Sequence, residues 1–259
     1  MPVHLASGFY GVDAFLQGKS SLNEVELGLL GSIKGKSLLH LQCHFGMDSI
    51  SLARLGAKVT GVDFSNRAID AARELAKKAN VDAEFVCCDV YSLPNHLDKK
   101  FDIVFTSYGV IGWLPDMEQW AYIVAKYLNP GGSFVMVEFH PVVWMFDNDF
   151  EKVTYRYFAD EAIVEELDGT YADREADVRK KTINWNHSLG EVINNLIASG
   201  LDIDAFEEYD YSPYNCFLHT VESAPGRFQI EKFGNKIPML YSIKAVKKAY
   251  NKNSTTRGM

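Results

Sequence analysis

The chain has 259 residues, and its 47% hydrophobic and 13% aromatic content is typical of a globular protein, which excludes a disordered chain. A net charge of −8 and a pI near 5.4 disfavour nucleic acid as a partner, because nucleic-acid binders normally present a basic surface. The four cysteines form no CxxC pair, and neither a signal peptide nor a membrane-spanning apolar run is visible. We therefore expect a cytoplasmic protein with reduced thiols and with no membrane or nucleic-acid partner.

The first part of the chain alternates predicted strands and helices. Apolar and β-branched runs predict five strands, over Leu38–Leu41, Lys58–Val62, Glu84–Cys88, Phe101–Thr106 and Ser133–Phe139. Apolar residues at helical spacing predict three helices between them, over Ile50–Leu55, from the N-cap Ser65 to about Ala79, and over Asp116–Leu128. Strand–helix–strand units of this length are normally right-handed crossovers, so we expect a parallel sheet with helices on both faces.

Four local signals mark the ends of these elements. Ser21-Leu22-Asn23-Glu24 has the form of a capping box and predicts an early helix start. Gly46 is placed to open the helix after the first strand, and Gly56 is placed to stop it. Asn129-Pro130-Gly131-Gly132 predicts a turn, because proline cannot continue a helix and glycine permits positive φ.

The second part of the chain has a different pattern. Residues 141–184 are charged and aromatic, and they predict an inserted, partly β segment with a hairpin turn at Asp168-Gly169. Ser188-Leu189-Gly190-Glu191 is a second capping box and predicts another helix. Leu201–Tyr209 and Met239–Val246 predict two final strands that are antiparallel neighbours at one edge of the sheet.

Together these elements predict an α/β fold of the Rossmann-like, doubly wound type. The sheet should have seven strands, mostly parallel with an antiparallel C-terminal strand, and helices on both faces. Such sheets bind nucleotide-like ligands at the carboxyl ends of their strands, which places the turn at residues 42–46 and the Asp63 carboxylate in one crevice.

The chain shows no internal repeat and no low-complexity linker, so we expect a single domain over residues 1–259. Its predicted parts are an N-terminal lid segment, a cofactor-binding half, an inserted substrate-side segment, and a C-terminal helix with the closing strands. These parts cover residues 1–35, 36–140, 141–184 and 185–250. The tail Asn251–Met259 is expected to be disordered.

Five short motifs resemble those of the class I S-adenosylmethionine-dependent methyltransferases, in the same order and spacing. They are Leu39–Gly46, Val62–Ser65, Cys88–Val90, Phe101–Val104 and Leu128–Gly132. The first motif departs from the Gly-rich form common in that family. His40 stands where an acid is usual, Gln42 and His44 stand where glycines are usual, and only Gly46 remains. The resemblance implies S-adenosylmethionine as cofactor, S-adenosylhomocysteine as product, and a methyl acceptor, which we take to be a small molecule.

Strand-end chemistry suggests how that cofactor would be held. The helix start at Gly46 can accept its carboxylate, and the two oxygens of Asp63 can accept both ribose hydroxyls. Asp89 can accept from the adenine amino group while the Val90 N–H donates to a ring nitrogen, and Phe64 can cover the adenine face. The predicted cofactor-binding residues are Gln42, Cys43, His44, Gly46, Asp63, Phe64, Ser65, Asp89, Val90 and Ser107. The methyl group should then lie near residues 107–109, and transfer should proceed by in-line displacement.

The substrate side offers two candidate general bases, needed only if the acceptor must lose a proton. His140 directly follows the fifth strand, and His187 precedes a predicted helix; either could equally be a structural hydrogen-bonding residue. The aromatic residues predicted to line an acceptor pocket are Tyr10, Trp113, Tyr171 and Trp185. Ordinary core packing is the alternative for each of them.

Other interpretations of the same residues stay open. Asp63 could be a surface turn residue, Asp89 a simple cap, and Cys43 a small buried residue. No metal is expected, because the spacing of histidines and cysteines matches no zinc pattern. A nicotinamide-dependent oxidoreductase would share Asp63, but the chain lacks GxGxxG and Asp89 would have no role. A macromolecular substrate is disfavoured by the acidic charge, and a non-catalytic protein that retains the fold would explain the lost glycines.

Overall fold

A computed structural model describes residues 4–5, 7–158, 161–169 and 179–249, without the side chains of residues 167, 168 and 180. Its strands in chain order are β1 Ser37–Leu41, β2 Lys58–Asp63, β3 Glu84–Cys87, β4 Phe101–Ser107, β5 Leu128–Phe139, β6 Ile163–Asp168, β7 Arg179–Asn184, β8 Leu201–Tyr209, β9 Thr220–Ala224, β10 Arg227–Ile230 and β11 Leu240–Lys247. Seven of them form one sheet in the order β3-β2-β1-β4-β5-β11-β8.

The direction of the strands in this sheet follows the prediction. Strands β1 to β5 pair in parallel with their neighbours, whereas β11 lies antiparallel between β5 and β8. The predicted Rossmann-like sheet, with seven mostly parallel strands and an antiparallel C-terminal strand, is therefore confirmed. The order reverses between β1 and β4, and a crevice for a ligand opens at such a switch point.

Six helices of the described residues surround the sheet: α1 Val12–Leu16, α2 Glu24–Leu30, α3 Met47–Arg54, α4 Asn66–Lys78, α5 Met117–Tyr127 and α6 Leu189–Ala198. The predicted N-caps Ser65 and Ser188 are present, and Asp116, predicted only as the start of a helix, is a third N-cap. The side chains of Ser65, Asp116 and Ser188 accept hydrogen bonds from backbone N–H groups three residues later, at 3.3, 2.9 and 3.2 Å. Each cap satisfies a helix N–H that has no partner within the helix.

Both faces of the sheet are buried, as expected for parallel strands. Alternate residues of β1 point to opposite faces: Leu39 and Leu41 pack in one core with α5 and α6, whereas Leu38 packs in another with α2 and α3. The apolar run at the start of β1 is thus explained by burial on two sides.

The first predicted capping box is wrong by two residues. Helix α2 begins at Glu24 with Asn23 as N-cap, and the Glu26 carboxylate accepts from the Asn23 backbone N–H at 2.7 Å. The Ser21 hydroxyl instead donates to Asp48 Oδ1 at 2.6 Å. Ser21 therefore makes a tertiary contact instead of capping the helix, and the local sequence does not reveal this contact.

Two predicted turns differ from the structure. β5 begins at Leu128, because this residue already pairs with Phe101, and residues 129–132 form a bulge rather than a turn before the strand. A Cβ at Gly132 would lie 2.9 Å from the Asn129 carbonyl oxygen, so the bulge requires glycine there. Strands β6 and β7 do form a hairpin, but it is not the two-residue turn predicted at Asp168-Gly169. Asp168 pairs with Arg179, so residues 169–178 connect the strands.

The β9–β10 hairpin was not predicted, although Pro225-Gly226 between its strands is a turn signal. The predicted disordered tail from Asn251 lies outside the described residues. In the part of the chain that the structure describes, no helix is long and apolar enough to cross a membrane.

Candidate functional site

A cavity of about 1300 Å³ opens at the carboxyl ends of the central strands. All ten predicted cofactor-binding residues line it, together with three of the predicted substrate-side groups, Trp113, Trp185 and His187. Tyr10 lines it from the N-terminal segment. Tyr171 lies outside the described residues. The switch point of the sheet therefore brings the predicted cofactor side and part of the predicted acceptor side into one space.

The loop after β1 keeps the backbone shape of a glycine-rich turn although two of its glycines are missing. Gln42 and His44 have φ angles of 54° and 52°, in the left-handed region that favours glycine, and Gly46 has a φ of 81°. A non-glycine residue in this region stores strain of order 1–3 kcal/mol. The variant first motif therefore retains the turn conformation at some cost in stability.

The two unusual side chains of this loop are anchored to neighbouring segments. Gln42 Nε2 donates to the Val110 carbonyl oxygen at 2.8 Å. The two ring nitrogens of His44 lie 3.3 Å from His4 Nδ1 and 3.4 Å from the Tyr10 hydroxyl. Burial, with the nearby charge of His4, lowers the pKa of His44 to about 3, so this ring is neutral at physiological pH. Both side chains tie the loop to segments that border the cavity.

Asp63 at the end of β2 is held rigidly. Its Oδ2 accepts from the His44 N–H and its Oδ1 from the Ser65 N–H, both at 2.9 Å. The side chain is 8% exposed, which argues against a surface turn residue. Burial raises the pKa of this carboxyl, and the two backbone hydrogen bonds act in the opposite direction. Each oxygen has a second acceptor position, so the carboxylate can also accept a pair of hydroxyls.

Two residues beyond β2 and β3 are exposed toward the cavity. The ring of Phe64 is 73% exposed. Asp89 Oδ1 accepts from the Tyr91 N–H at 2.7 Å and so caps the short 3-10 helix Val90–Asn95. The capping interpretation and the cofactor interpretation of Asp89 are compatible, because its carboxylate caps with one oxygen and borders the cavity.

The cysteines near the site are structural in character. Cys43 is 4% exposed, and burial raises the pKa of its thiol well above the usual value. A Cβ at Gly61 would lie 2.9 Å from its sulfur, so the thiol packs tightly against β2. Among the residues that the structure describes, no group of three or more histidine, cysteine or acidic side chains is arranged to hold a metal ion.

His140, predicted as a candidate general base, has protein partners on both ring nitrogens, which supports the structural alternative. Its Nδ1 accepts from the Val142 N–H at 3.1 Å, so its Nε2 carries the proton and donates to Glu208 Oε1 at 2.8 Å. The residue is 3% exposed and is not among the residues that line the cavity. Its position directly after β5 suggested the crevice rim, but the ring turns toward β8.

His187 lines the cavity, but both ring nitrogens already face protein oxygens. Nε2 lies 2.7 Å from the Leu114 carbonyl oxygen, and Nδ1 lies 3.1 Å from Glu191 Oε2. These contacts join the start of α6 to the loop before α5. They support the structural alternative for this histidine.

Sequence reasoning missed most of a polar cluster at the cavity, of which only Ser107 was predicted as a site residue. Asp48 at the start of α3 accepts from Ser21 Oγ at 2.6 Å and from Ser107 Oγ at 3.0 Å. Glu26 of α2 is fully buried and accepts from the Tyr108 hydroxyl at 2.6 Å. These groups come from distant segments, so no local spacing could have revealed the cluster.

A buried glutamate shapes the loop beside Tyr108. Glu138 of β5 accepts the N–H groups of Gly109, Val110, Ile111 and Phe139. Burial raises the pKa of Glu138, and these four hydrogen bonds counteract that effect. The carboxylate thus fixes the backbone that follows β4, at the place where the methyl group was predicted to lie.

Comparisons with known proteins agree with this geometry. The family model of the methyltransferase domain matches residues 38–132. A ubiquinone biosynthesis O-methyltransferase from Idiomarina loihiensis is 30% identical over 133 residues, which are 50% of this chain and 54% of the relative. One from Coxiella burnetii is 34% identical over 102 residues, 39% of this chain and 43% of the relative. The chain thus spans about half the length of the curated relatives it matches.

Solved structures extend the similarity to the second half of the chain. A structure assigned to the S-adenosylmethionine-dependent methyltransferases, from Listeria monocytogenes, covers 91% of this chain and 99% of its own, with a TM-score of 0.63 and 18% identity. Geranyl diphosphate C-methyltransferase from Streptomyces coelicolor, solved with S-adenosylhomocysteine, covers 86% of this chain and 78% of its own, with a TM-score of 0.58 and 15% identity.

Residues 38–132 therefore match the methyltransferase domain family, and the fold is similar to that of solved S-adenosylmethionine-dependent methyltransferases. The predicted resemblance to this superfamily is confirmed. The sequence matches cover the half that carries the five motifs, whereas the acceptor side is similar at the level of fold alone.

Proposed function

We propose that the protein is a methyltransferase that moves the methyl group of S-adenosylmethionine to a small-molecule acceptor. The observation that carries the proposal is the rigid Asp63 carboxylate in the large cavity, with both oxygens oriented by backbone N–H groups of the first-motif turn and of the α4 cap. A carboxylate at this strand end suits a ribose diol.

The described residues fit this cofactor. Asp63 would hold the ribose, Asp89, Val90 and Phe64 the adenine, and the turn from Gln42 to Gly46 the methionine part. His40, which is 2% exposed, lines the same cavity and its Nε2 has no hydrogen-bond partner among the described residues. A buried polar atom without a hydrogen-bond partner destabilises the folded state, so a ligand that forms a hydrogen bond with His40 Nε2 would remove this destabilisation. When bound, S-adenosylmethionine supplies a methyl group on a sulfonium, and the chain orients the acceptor and excludes water.

The other side of the cavity supports a small, mainly apolar acceptor without negative charge. Phe139, Trp144 and Phe217 form a group of rings with centroids 5.1 to 5.7 Å apart. Of the described cavity-lining residues, only Lys19 and Arg67 carry cationic side chains, and neither belongs to this aromatic group. An anionic acceptor would normally require such a cation beside it. Small-molecule relatives and the net charge of −8 both disfavour nucleic acid as the substrate.

Two rival functions are less well supported. A nicotinamide oxidoreductase would use Asp63, but it gives no role to Asp89 and is not the class of the similar proteins. A non-catalytic protein was suggested by the missing glycines, yet Gln42 and His44 keep the glycine-like backbone. The predicted cytoplasmic location is part of this proposal.

Titration calorimetry with S-adenosylmethionine, S-adenosylhomocysteine and NAD tests the cofactor. We expect the first two to bind and NAD to give no heat of binding. Release of S-adenosylhomocysteine in a screen of phenols, alcohols and amines then tests catalysis. Binding of NAD alone would overturn the proposal, and cofactor binding without turnover of any acceptor would favour the non-catalytic protein.

A further inference from the structure

Tyr108, which lines the cavity, has an unusual backbone conformation. Its φ is 34°, in the left-handed region that a bulky aromatic residue rarely occupies. It directly follows the end of β4, its N–H donates to the Val137 carbonyl oxygen at 2.7 Å, and its ring borders the cavity. Residues with a strained backbone that is held firmly by its surroundings occur at functional sites, so the strain at Tyr108 indicates a functional role.

The hydroxyl of Tyr108 forms a hydrogen bond with a carboxylate that has no access to solvent. It donates to Glu26 Oε2 at 2.6 Å, and Glu26 is 0% exposed. The other oxygen, Oε1, accepts from the backbone N–H of Asn23 at 2.7 Å and from its side-chain Nδ2 at 3.2 Å. Among the described residues, no cation forms an ion pair with this carboxylate. An ionised carboxylate held by neutral donors is an effective proton acceptor.

We infer that Tyr108 takes the proton of the acceptor's hydroxyl or amine during methyl transfer and passes its own proton to Glu26. This inference rests on the proposed methyl transfer. Tyr108 donates its hydrogen to Glu26, and the Asn23 side chain faces one lone pair of the Tyr108 oxygen, which leaves the second lone pair to accept the X–H of the acceptor. Tyr108 is thus the catalytic residue, and Glu26 acts through it.

The charges and atoms of the step balance. The acceptor atom X forms a bond to the methyl carbon while the sulfur–carbon bond breaks, and that electron pair becomes a lone pair on sulfur. The X–H proton moves to the Tyr108 oxygen as the Tyr108 proton moves to Glu26 Oε2. A sulfonium cation, a neutral acceptor and a carboxylate become a thioether, a methylated product and a neutral carboxylic acid. Glu26 later returns the proton to solvent.

The surroundings of the pair favour proton uptake by Glu26. Burial raises the pKa of Glu26, and the hydrogen bond from Tyr108 opposes that shift. Asp48 of α3 adds a negative charge that raises the pKa of Glu26 further. Among the described residues, Tyr214 and Tyr211 also interact electrostatically with Glu26, and burial raises the pKa of both phenols, so they stay neutral. The arrangement assigns the acceptor to the protic class, with an O–H or N–H at the reacting atom.

The test uses 4-nitrophenol, whose ionised form absorbs visible light and has no proton left to lose, and needs no knowledge of the natural acceptor. The full-length protein is saturated with S-adenosylmethionine, and the rate of nitrophenol methylation is measured from below to above the pKa of nitrophenol. Below that pKa the acceptor is neutral, and Glu26→Gln and Tyr108→Phe should be slower than the wild type by roughly tenfold or more, because no base takes the proton. Above that pKa the acceptor is already ionised, so the difference between the variants and the wild type should disappear.

Matched controls separate this effect from misfolding. Tyr122→Phe and Glu118→Gln change exposed residues of α5 outside the cavity and should keep the wild-type dependence of the rate on pH. Retained binding of S-adenosylhomocysteine by the two test variants shows that they fold, and Tyr108→Phe and Glu26→Gln test the pair from its two ends.

If S-adenosylhomocysteine does not bind the wild type, the proposed function fails. If it binds but nitrophenol is not methylated, or if the variants lose the same factor in rate below and above the pKa of nitrophenol, the proton transfer is overturned while the methyltransferase proposal stands. A loss of rate confined to neutral nitrophenol supports the proton path.

Discussion

The two sides of the cavity are built in different ways. The proposed cofactor side comes from consecutive strand ends and turns between Gln42 and Val90, within the span matched by the methyltransferase domain family. The proposed acceptor side combines Glu26, Tyr108 and Tyr214, which lie far apart in the sequence. A ligand shared by a whole superfamily can be served by a continuous motif, whereas an individual acceptor is served by tertiary contacts.

The largest effect should come from Gly46, the remaining glycine of the first motif. Its φ is 81°, and an added Cβ would lie 2.8 Å from Phe85 Cε1 and 2.9 Å from Ala72 Cβ. Gly46→Ala should therefore lower the free energy of unfolding by roughly 2–4 kcal/mol, as the sum of backbone strain and overpacking. Urea denaturation measures this.

The control is Gly28→Ala in α2, where a Cβ would meet no atom within 4 Å. Alanine is the better helix former, so this variant should be as stable as the wild type or more stable. An equal loss of unfolding free energy in Gly46→Ala and Gly28→Ala would show that the close packing and positive φ at Gly46 do not make this position sensitive to an added Cβ.

The next effect concerns the affinity for the cofactor. Asp63→Ala removes a carboxylate that is expected to accept the ribose hydroxyls, so binding of S-adenosylhomocysteine should weaken by roughly 1.5–3 kcal/mol, the scale of a charge-assisted hydrogen bond. Calorimetry measures it, and the exposed Asp82→Ala is the matched control. An unchanged affinity would take Asp63 out of the site. Far-UV circular dichroism checks that the variant folds, since Asp63 also anchors the backbone of His44 and Ser65.

The difference between the two sides of the cavity explains which site residues the sequence could predict. The residues of the cofactor side follow strand ends, and strand order follows from alternating apolar runs, so all ten predicted residues do line the cavity. The sequence did not predict the left-handed φ of Gln42 and His44, because the replacement of glycine suggested that the turn conformation was lost. Backbone shape is set by the surrounding contacts as well as by local preference.

On the proposed acceptor side, residue type suggested catalytic roles that the hydrogen-bond geometry does not support. His140 and His187 were chosen because histidine titrates near neutral pH, but both rings are occupied by protein partners. Glu26 gave no local signal beyond its place in a helix, and the helix itself starts later than predicted because Ser21 binds Asp48. Contacts between segments far apart in sequence cannot be read from local patterns.

The pH dependence of stability provides a third test on the cofactor side. Burial lowers the pKa of His40 to about 3, from an ordinary value of 6.5. The folded state then binds fewer protons than the unfolded state below pH 6.5, so stability falls as the pH falls toward 3. Between pH 7 and pH 5, His40 alone should account for a loss of about 2 kcal/mol.

His40→Asn should remove this part of the slope, because the asparagine amide can still meet Ser49 Oγ, which lies 2.8 Å from His40 Nδ1, without taking a proton. Urea denaturation at several pH values measures the slope. The exposed His96→Asn is the control and should keep the wild-type profile. A wild-type slope in His40→Asn would mean that other groups dominate the acid sensitivity.

The smallest effect has the opposite sign and belongs to the acceptor side. Burial raises the pKa of Glu26 above its ordinary 4.5, so above pH 4.5 the folded state binds more protons than the unfolded state. Glu26 therefore lowers stability as the pH rises through this window, which is the reverse of the His40 effect. Glu26→Gln should make the unfolding free energy fall less above pH 4.5, whereas the exposed Glu118→Gln should leave the profile unchanged. If Glu26→Gln also kept the wild-type profile, the buried carboxylate would not be the proton-accepting group that distinguishes the acceptor side from the cofactor side.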